Sequence, residues 1–179
     1  MNRAVFLDLN GTLANPVQVE KLDDLKPISG AIESVARLDK SGFLCPVVTV
    51  QSRISKEIFS LKEFSNWFKN FSEEAKNASA KLLGPYICPH REKENCECAK
   101  SKGTLYYKAA KEYSISLTDS FVIGDTQADI LAASKIGAKA CLVKTGWGHF
   151  ESNINVAKKH NAYISENINQ AVSWVLSNA

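Results

Sequence analysis

Asp8 ends a short apolar run, Val5-Phe6-Leu7, and is followed at once by Leu9, polar Asn10 and the turn pair Gly11-Thr12. That order predicts a buried strand that delivers a carboxylate to its C-terminal edge. In an open α/β sheet that edge is where ligands bind, and a carboxylate there can hold a divalent cation, attack an electrophile, or do both. Asp-x-Asn-Gly is also common turn chemistry, so a simple turn cap is the competing reading. Two other apolar runs end the same way, one at Thr49-Val50-Gln51-Ser52 and one at Gly124-Asp125, with Asp129 four residues on. Asp129 sits where a helix begins and can serve its N-terminus, whereas Asp125 stays at the strand tip and is better placed to face a cation. A separate cluster, Cys88-Pro89-His90 and Cys96-Glu97-Cys98, offers three sulfurs and one imidazole. Four such ligands close a tetrahedral zinc site with no open position, which makes it structural rather than catalytic.

The elements that must carry these residues follow from periodicity. The first strand leads into a polar loop as far as Lys26, and Pro27-Ile28-Ser29-Gly30 starts a helix whose apolar face is Ile32, Val35, Ala36 and Leu38 and which stops at Gly42. A second strand is expected over 43–49, then a helical pattern from 56 to about 80 with Phe59, Phe64, Trp67, Phe68 and Phe71 as bulky anchors. Without a basic groove beside it, that aromatic stripe reads as core and not as a base-stacking surface. A third strand over 82–87 is interrupted by Gly84-Pro85, and a polar, cysteine-rich stretch runs on to Lys102. Helix over 104–113, strand over 121–123, helix over 128–136 closed by Gly137, and strand over 140–143 complete the alternation, with a weak strand near 163–164 and a last amphipathic helix after it. This is the pattern of a mostly parallel sheet covered on both faces, and right-handed crossovers put every strand's C-terminal end on one edge.

Composition bounds the possibilities. With 179 residues, the chain suits one well-buried domain spanning 1–179. It is 45% hydrophobic and 23% charged, the balance of an ordinary globular protein, and no run approaches the length of a membrane span. A formal net charge of +3, evenly spread, argues against nucleic acid as a partner. Met1-Asn2-Arg3-Ala4 runs straight into the first strand, so no secretory signal is expected and the cytoplasm is the default location. In that reducing compartment Cys45 and Cys141, each within an apolar run, read as core residues.

Taken together, Asp8-Leu9-Asn10-Gly11-Thr12-Leu13, Thr49, Lys100 and Gly124-Asp125-x-x-x-Asp129 resemble the four ordered motifs of the haloacid dehalogenase (HAD) superfamily over nearly the whole chain. The resemblance implies a Rossmann-like α/β fold in which Asp8 attacks phosphorus and forms an aspartyl-phosphate. It implies Mg²⁺ bound by Asp8, the backbone carbonyl of Asn10, and Asp125, with Gly124 and Asp129 in support. Thr49 and Lys100 would hold phosphoryl oxygens and neutralise the charge of the transition state. Thr12, Gln51, Ser52 and Arg53 would face the substrate. The Cys-x-His and Cys-x-Cys loop, at about 88–102 and ending at the motif lysine, is similar to that of the heptose bisphosphate and histidinol phosphate phosphatases. Those proteins use a structural Zn²⁺ loop to shape the substrate entrance in place of a large cap domain, and Thr145-Gly146-Trp147-Gly148 resembles their turn after the strand. The expected partner is a small phosphorylated substrate, and the expected state is a monomer.

The sequence also departs from that pattern. The second Asp of the family, its general acid and base, is Asn10 here, and an amide cannot cycle a proton in this pH range. Two explanations follow: a slow or altered phosphatase, or a substitution introduced to trap substrate. A degenerate phosphatase that binds a phosphorylated ligand or a protein without turnover is the alternative function. Non-phosphatase HAD chemistry, on phosphonates or carbon-halogen bonds, fits the zinc loop less well. Ala99 stands where an Arg usually precedes the lysine, and Ser101 where a Pro follows it. Arg53 stands in the loop after the second strand, either as a replacement cation or as a solvated surface residue.

Overall fold

The computed structural model describes residues 1–179, with every side chain included except that of Glu92. Six strands form one parallel sheet: β1 (Val5–Leu7), β4 (Pro46–Val50), β5 (Leu83–Cys88), β6 (Phe121–Gly124), β7 (Lys139–Val143) and β8 (Tyr163–Ser165), in the order β5-β4-β1-β6-β7-β8. Every pairing in it is parallel, as the strand-helix alternation predicts. The chain winds outward in both directions from β1, so the crevice beside β1 is the switch point at which ligands bind in such sheets.

Period-two alternation decides which residues face which layer. Val5 and Leu7 point into a core completed by α1 (Ala31–Lys40), α3 (Leu61–Asn77) and α7 (Ile168–Ser177). Phe6, between them, points the other way, into a core formed with α4 (Thr104–Tyr113) and α5 (Gln127–Ile136). The aromatic stripe lies in the first of these cores, where Phe64, Phe68 and Phe71 are buried and Trp67 packs against them. Cys45 and Cys141 are fully buried there as well.

Four local differences from the sequence expectations have physical causes. The second strand starts at Pro46 and not at 43, because Leu44 makes only an isolated bridge to Ala4 and the register shifts between Pro46 and Val48. The long helical pattern is broken into α2 (Ser52–Ser55) and α3. Glu57 takes a left-handed backbone, and Ser60 restarts the helix through a capping box with Glu63, worth about 1 kcal/mol. The polar loop before Lys26 contains a two-residue hairpin, β2 (Ala14–Asn15) against β3 (Lys26–Pro27). Finally, α6 (Glu151–Lys159) was not expected, since it buries only Asn153 and Ala157 and has little apolar periodicity to read. No helix is long and apolar enough to cross a membrane.

Candidate active site at the centre of the sheet

The edge beyond β1, β4 and β6 brings together residues far apart in sequence. Leu7 pairs with Val47 on one side and Ile123 on the other, so Asp8, Thr49 and Asp125 emerge side by side. The Asp8 amide donates to the Ile123 carbonyl at 3.0 Å and fixes that carboxylate at the strand tip. Lys100, delivered by a 3-10 turn over Lys100–Lys102, places its ammonium 2.5 Å from Asp8 Oδ1 and 2.7 Å from Asp129 Oδ1. Asp129 also closes the start of α5, accepting from the Thr126 amide at 3.2 Å and the Thr126 hydroxyl at 2.8 Å. It therefore serves both the helix terminus and the lysine. Gly124 is required beside it, because a Cβ there would lie 2.0 Å from Asp129 Cγ.

Asp125 is held differently. Its Oδ2 accepts from the Trp147 backbone amide at 2.8 Å, and it has no cationic side chain in an ion pair among the described residues. Gly11 and Gly146 press against it from two loops, and a Cβ on either would come within 2.2 Å of Asp125 Oδ2. Thr145 Oγ1 donates to the Gly11 carbonyl at 2.6 Å and ties those loops together. Asn153 completes the clamp: it accepts from the Gln127 amide and donates to the Trp147 carbonyl, both at 2.8 Å. Of these supports, Gly11 in the first motif and the Thr145–Gly148 turn stood out in the sequence, where turn glycines were the signal. Asn153 had none, lying in the helix that periodicity missed.

Burial sets the electrostatics. Asp8, Lys100, Asp125 and Asp129 are between 0 and 7% exposed. Burial, reinforced by Asp129 and opposed by Lys100, pushes the Asp8 carboxyl up to about 6. Asp125, buried beside Asp8 and Asp129, is pushed up to about 8. Burial works against the Lys100 charge, but the carboxylates of Asp129 and Asp8 outweigh it and hold the ammonium well above its usual range. Three carboxyls and one ammonium thus leave a deficit of positive charge, concentrated at Asp125 and Asp8. That deficit, in an oxygen-rich corner, fits a hard divalent cation.

Polar neighbours order the rest of the site. Gln51 uses its amide group twice, donating to Asn10 Oδ1 at 2.7 Å and to Thr49 Oγ1 at 2.9 Å. Thr12 is fully buried behind the strand tip and donates to Asp8 Oδ2 at 3.3 Å, so its hydroxyl faces the carboxylate and not the cleft. The cleft above these groups, about 140 Å³, is lined by Asp8, Asn10, Gln51, Ser52, Arg53, Lys100 and Asp125, with Val17 to Val19 and Trp147 at its walls. A larger open cleft of about 870 Å³ adjoins it and shares Val17, Gln18 and Trp147. Arg53 is not the solvated side chain that one reading of the sequence expected. Its side chain is 15% exposed and bonds to the Val19 carbonyl, Gln18 Oε1 and Glu20.

The cysteine cluster lies at the end of β5. The Cys88, Cys96 and Cys98 sulfurs are 3.4 to 3.5 Å apart, and His90 Nδ1 lies 3.2 Å from Cys98 Sγ. A tetrahedral zinc with bonds of about 2.3 Å sets its sulfurs about 3.8 Å apart. The four ligand atoms, all within 4.8 Å of one another, therefore fit zinc with only slight expansion. The loop is tied to the cleft, since the Gln51 amide donates to the Cys88 carbonyl at 2.7 Å and Arg91 donates to the Ser55 carbonyl at 2.8 Å.

Comparison with known proteins gives this geometry a family. The sequence profile of the HAD-hydrolase-like family matches residues 97–171. The D-glycero-beta-D-manno-heptose-1,7-bisphosphate 7-phosphatase of Haemophilus influenzae is 36% identical over 156 residues, covering 82% of this chain and 84% of its own. The Pasteurella multocida protein of the same name is 34% identical over 178 residues and covers 94% of each chain. The chain belongs to the HAD-type heptose bisphosphate phosphatase family. The fold agrees. The crystal structure of the D,D-heptose 1,7-bisphosphate phosphatase of B. bronchiseptica, complexed with magnesium and phosphate, superposes with a TM-score of 0.86 at 20% identity over 99% of both chains. This chain carries the Cys3His cluster, the lysine-carboxylate network and Asn10 two residues beyond Asp8.

Proposed function

We propose that the protein is a Mg²⁺-dependent phosphatase of a small phosphorylated sugar, such as a heptose bisphosphate, working as a cytoplasmic monomer through an aspartyl-phosphate on Asp8. The observation that carries this reading is the single Lys100 ammonium shared by Asp8 and Asp129, with Asp125 buried alongside and in no ion pair among the described residues. Mg²⁺ would be held by Asp8, Asp125 and the Asn10 carbonyl and, when bound, would supply Lewis-acid polarisation of the phosphoryl group.

Asp8 attacks phosphorus, and the bond from phosphorus to the sugar oxygen breaks with its electron pair leaving on that oxygen. Lys100, fixed by Asp129, neutralises the charge that accumulates on the phosphoryl oxygens, and the Thr49 hydroxyl, oriented by Gln51, donates to one of them. Water then cleaves the aspartyl-phosphate and returns Asp8 as a carboxylate. A proton carrier at position 10 would assist both steps, first as acid for the leaving oxygen and then as base for the water; an amide supplies neither, which slows each by about 100- to 10,000-fold.

This split makes a direct test. An aryl phosphate, whose phenolate leaves without protonation, should phosphorylate Asp8 readily and then stall. Rapid mixing should show a burst of about one phenolate per chain, with the phosphate on Asp8. Absence of any phosphorylated Asp8, or full activity in Asp8→Ala, would sink the reading. A second reading, binding without turnover, is favoured by the Asn10 amide being held by Gln51 at 2.7 Å and donating to the Pro16 carbonyl at 3.4 Å. A linear, burst-free trace with saturable ligand binding would support it.

A further inference from the structure

The cleft lining contains two cations. Lys100 is held by Asp8 and Asp129 at 2.5 and 2.7 Å, which leaves one of its three N–H donors for the phosphoryl group at the reacting centre and none for a second anion. The other is Arg53, the first polar side chain along α2 after Ser52. Its Nε and Nη2 donate to the Val19 carbonyl and to Gln18 Oε1, at 3.2 and 3.1 Å, while its Nη1 has no acceptor among the described residues. Among the described residues the carboxylate in an ion pair with it is Glu20, 2.8 Å from Nη2 and 68% exposed, on a strap whose Val19 is buried in the core. The strap is therefore anchored by Val19, and Glu20 is an outlying anion on its solvent side.

We propose that Arg53 is the specificity residue for a second anionic group on the substrate, and that Glu20 is an internal competitor at Nη2 until that group arrives. This inference rests on the phosphatase reading for the identity of the first group, but the exchange itself is a binding event. A planar guanidinium can grip two phosphate oxygens at once, and a phosphate carries more charge than Glu20. The 140 Å³ cleft carries Asp8 and Arg53 in one lining, and a sugar whose phosphoryl group sits at Asp8 would extend past Val17, Gln18 and Trp147 toward the open cleft. A second phosphate folded back along the strap meets Arg53. The zinc loop fixes this geometry, because Arg91 and Pro89 hold Ser55, two residues beyond Arg53, through 2.8 and 3.2 Å hydrogen bonds. The open cleft adds Lys26 and His149, both exposed, and Lys26 has Asp24 as a neighbour in the same lining.

The test is calorimetric affinity for a sugar bisphosphate and for the matching sugar monophosphate, on the full Mg²⁺-loaded chain, with phosphate release followed in the same samples. Arg53→Ala should lower the bisphosphate-to-monophosphate affinity ratio by about tenfold or more. Arg53→Lys should lose less, and Glu20→Gln should raise the ratio a few-fold at low salt and less at high salt. An unchanged ratio in Arg53→Ala, a larger change in Lys26→Ala, or no binding of either sugar would overturn the proposal. Binding that shifts as expected without phosphate release would leave this inference standing and would reject turnover instead.

Discussion

Lys100 Nζ and Asp8 Oδ1 meet at 2.5 Å across 92 residues of sequence, both nearly excluded from water. The contact joins the end of β1 to the turn that follows the zinc loop, and Asp129 shares the same ammonium. Removing one member of a buried charge network leaves the others uncompensated. Lys100→Met should therefore destabilise the fold by about 3–5 kcal/mol in urea unfolding, and adding Asp129→Asn should restore part of that loss. A change below about 1 kcal/mol would show that the network carries little of the stability.

The acids predict a pH dependence with a definite sign. Asp8 rises from 3.8 to about 6 and Asp125 from 3.8 to about 8, burial being the largest cause in each. A carboxyl whose folded value is raised stabilises the fold fully below its unfolded value, and the contribution is lost as pH rises through the folded one. In metal-free protein, stability from this pair should fall from about pH 4 through about pH 8. Because a cation replaces those protons, Mg²⁺ should raise the thermal midpoint more at about pH 8.5 than at about pH 5.5. An equal or reversed response would mean that Mg²⁺ binds elsewhere.

Gly146 separates crowding from backbone strain. Its φ is +57°, and a Cβ would lie 2.2 Å from Asp125 Oδ2 and 2.6 Å from the Gly11 backbone. Gly42 is also left-handed, at φ +81°, but nothing lies within 4 Å of its Cβ position. Gly42→Ala should cost about 1–2 kcal/mol and keep the Mg²⁺ response. Gly146→Ala should cost more and abolish that response by displacing Asp125 from the Trp147 amide. If both variants keep the Mg²⁺-induced shift, Asp125 does not hold the cation.

Zinc should be present at about one per chain, and chelation should lower the thermal midpoint, because a closed site contributes folding energy directly. Cys96→Ser should reproduce that loss. It should also weaken selection between sugar phosphates more than core stability, since the loop positions Gln51 and Ser55 at the cleft. Metal analysis finding no zinc in protein purified without chelator would contradict this.

Much of this arrangement was legible beforehand because it rests on strand ends. An apolar run that stops at Asp8, Thr49 or Asp125 announces both its strand and the group presented there, and the parallel crossover rule puts those groups on one edge. Thr104–Tyr113 likewise follows its periodicity from end to end. What periodicity cannot convey is tertiary choice. Ser60-x-x-Glu63 was a readable capping signal, but the apolar stripe around it masked the break between α2 and α3. Nothing local tells that the Thr12 hydroxyl turns back to Asp8, that Gln51 spends its donors on Asn10 and Thr49, or that Arg53 reaches the strap at Gln18 to Glu20. Those contacts depend on loops meeting in space.

Phosphate release from a sugar bisphosphate in the presence of Mg²⁺, compared between this chain and Asn10→Asp, tests the central claim most directly. Gln51 Nε2, 2.7 Å from Asn10 Oδ1, can donate equally well to a carboxylate, and the protonated carboxyl can keep the donation that Asn10 Nδ2 makes to the Pro16 carbonyl. A proton carrier restored at that position should raise turnover by about 100- to 10,000-fold, and adding Asp8→Ala should abolish it. If neither chain releases phosphate while both bind the sugar, the site has been kept for binding and the phosphatase account is wrong.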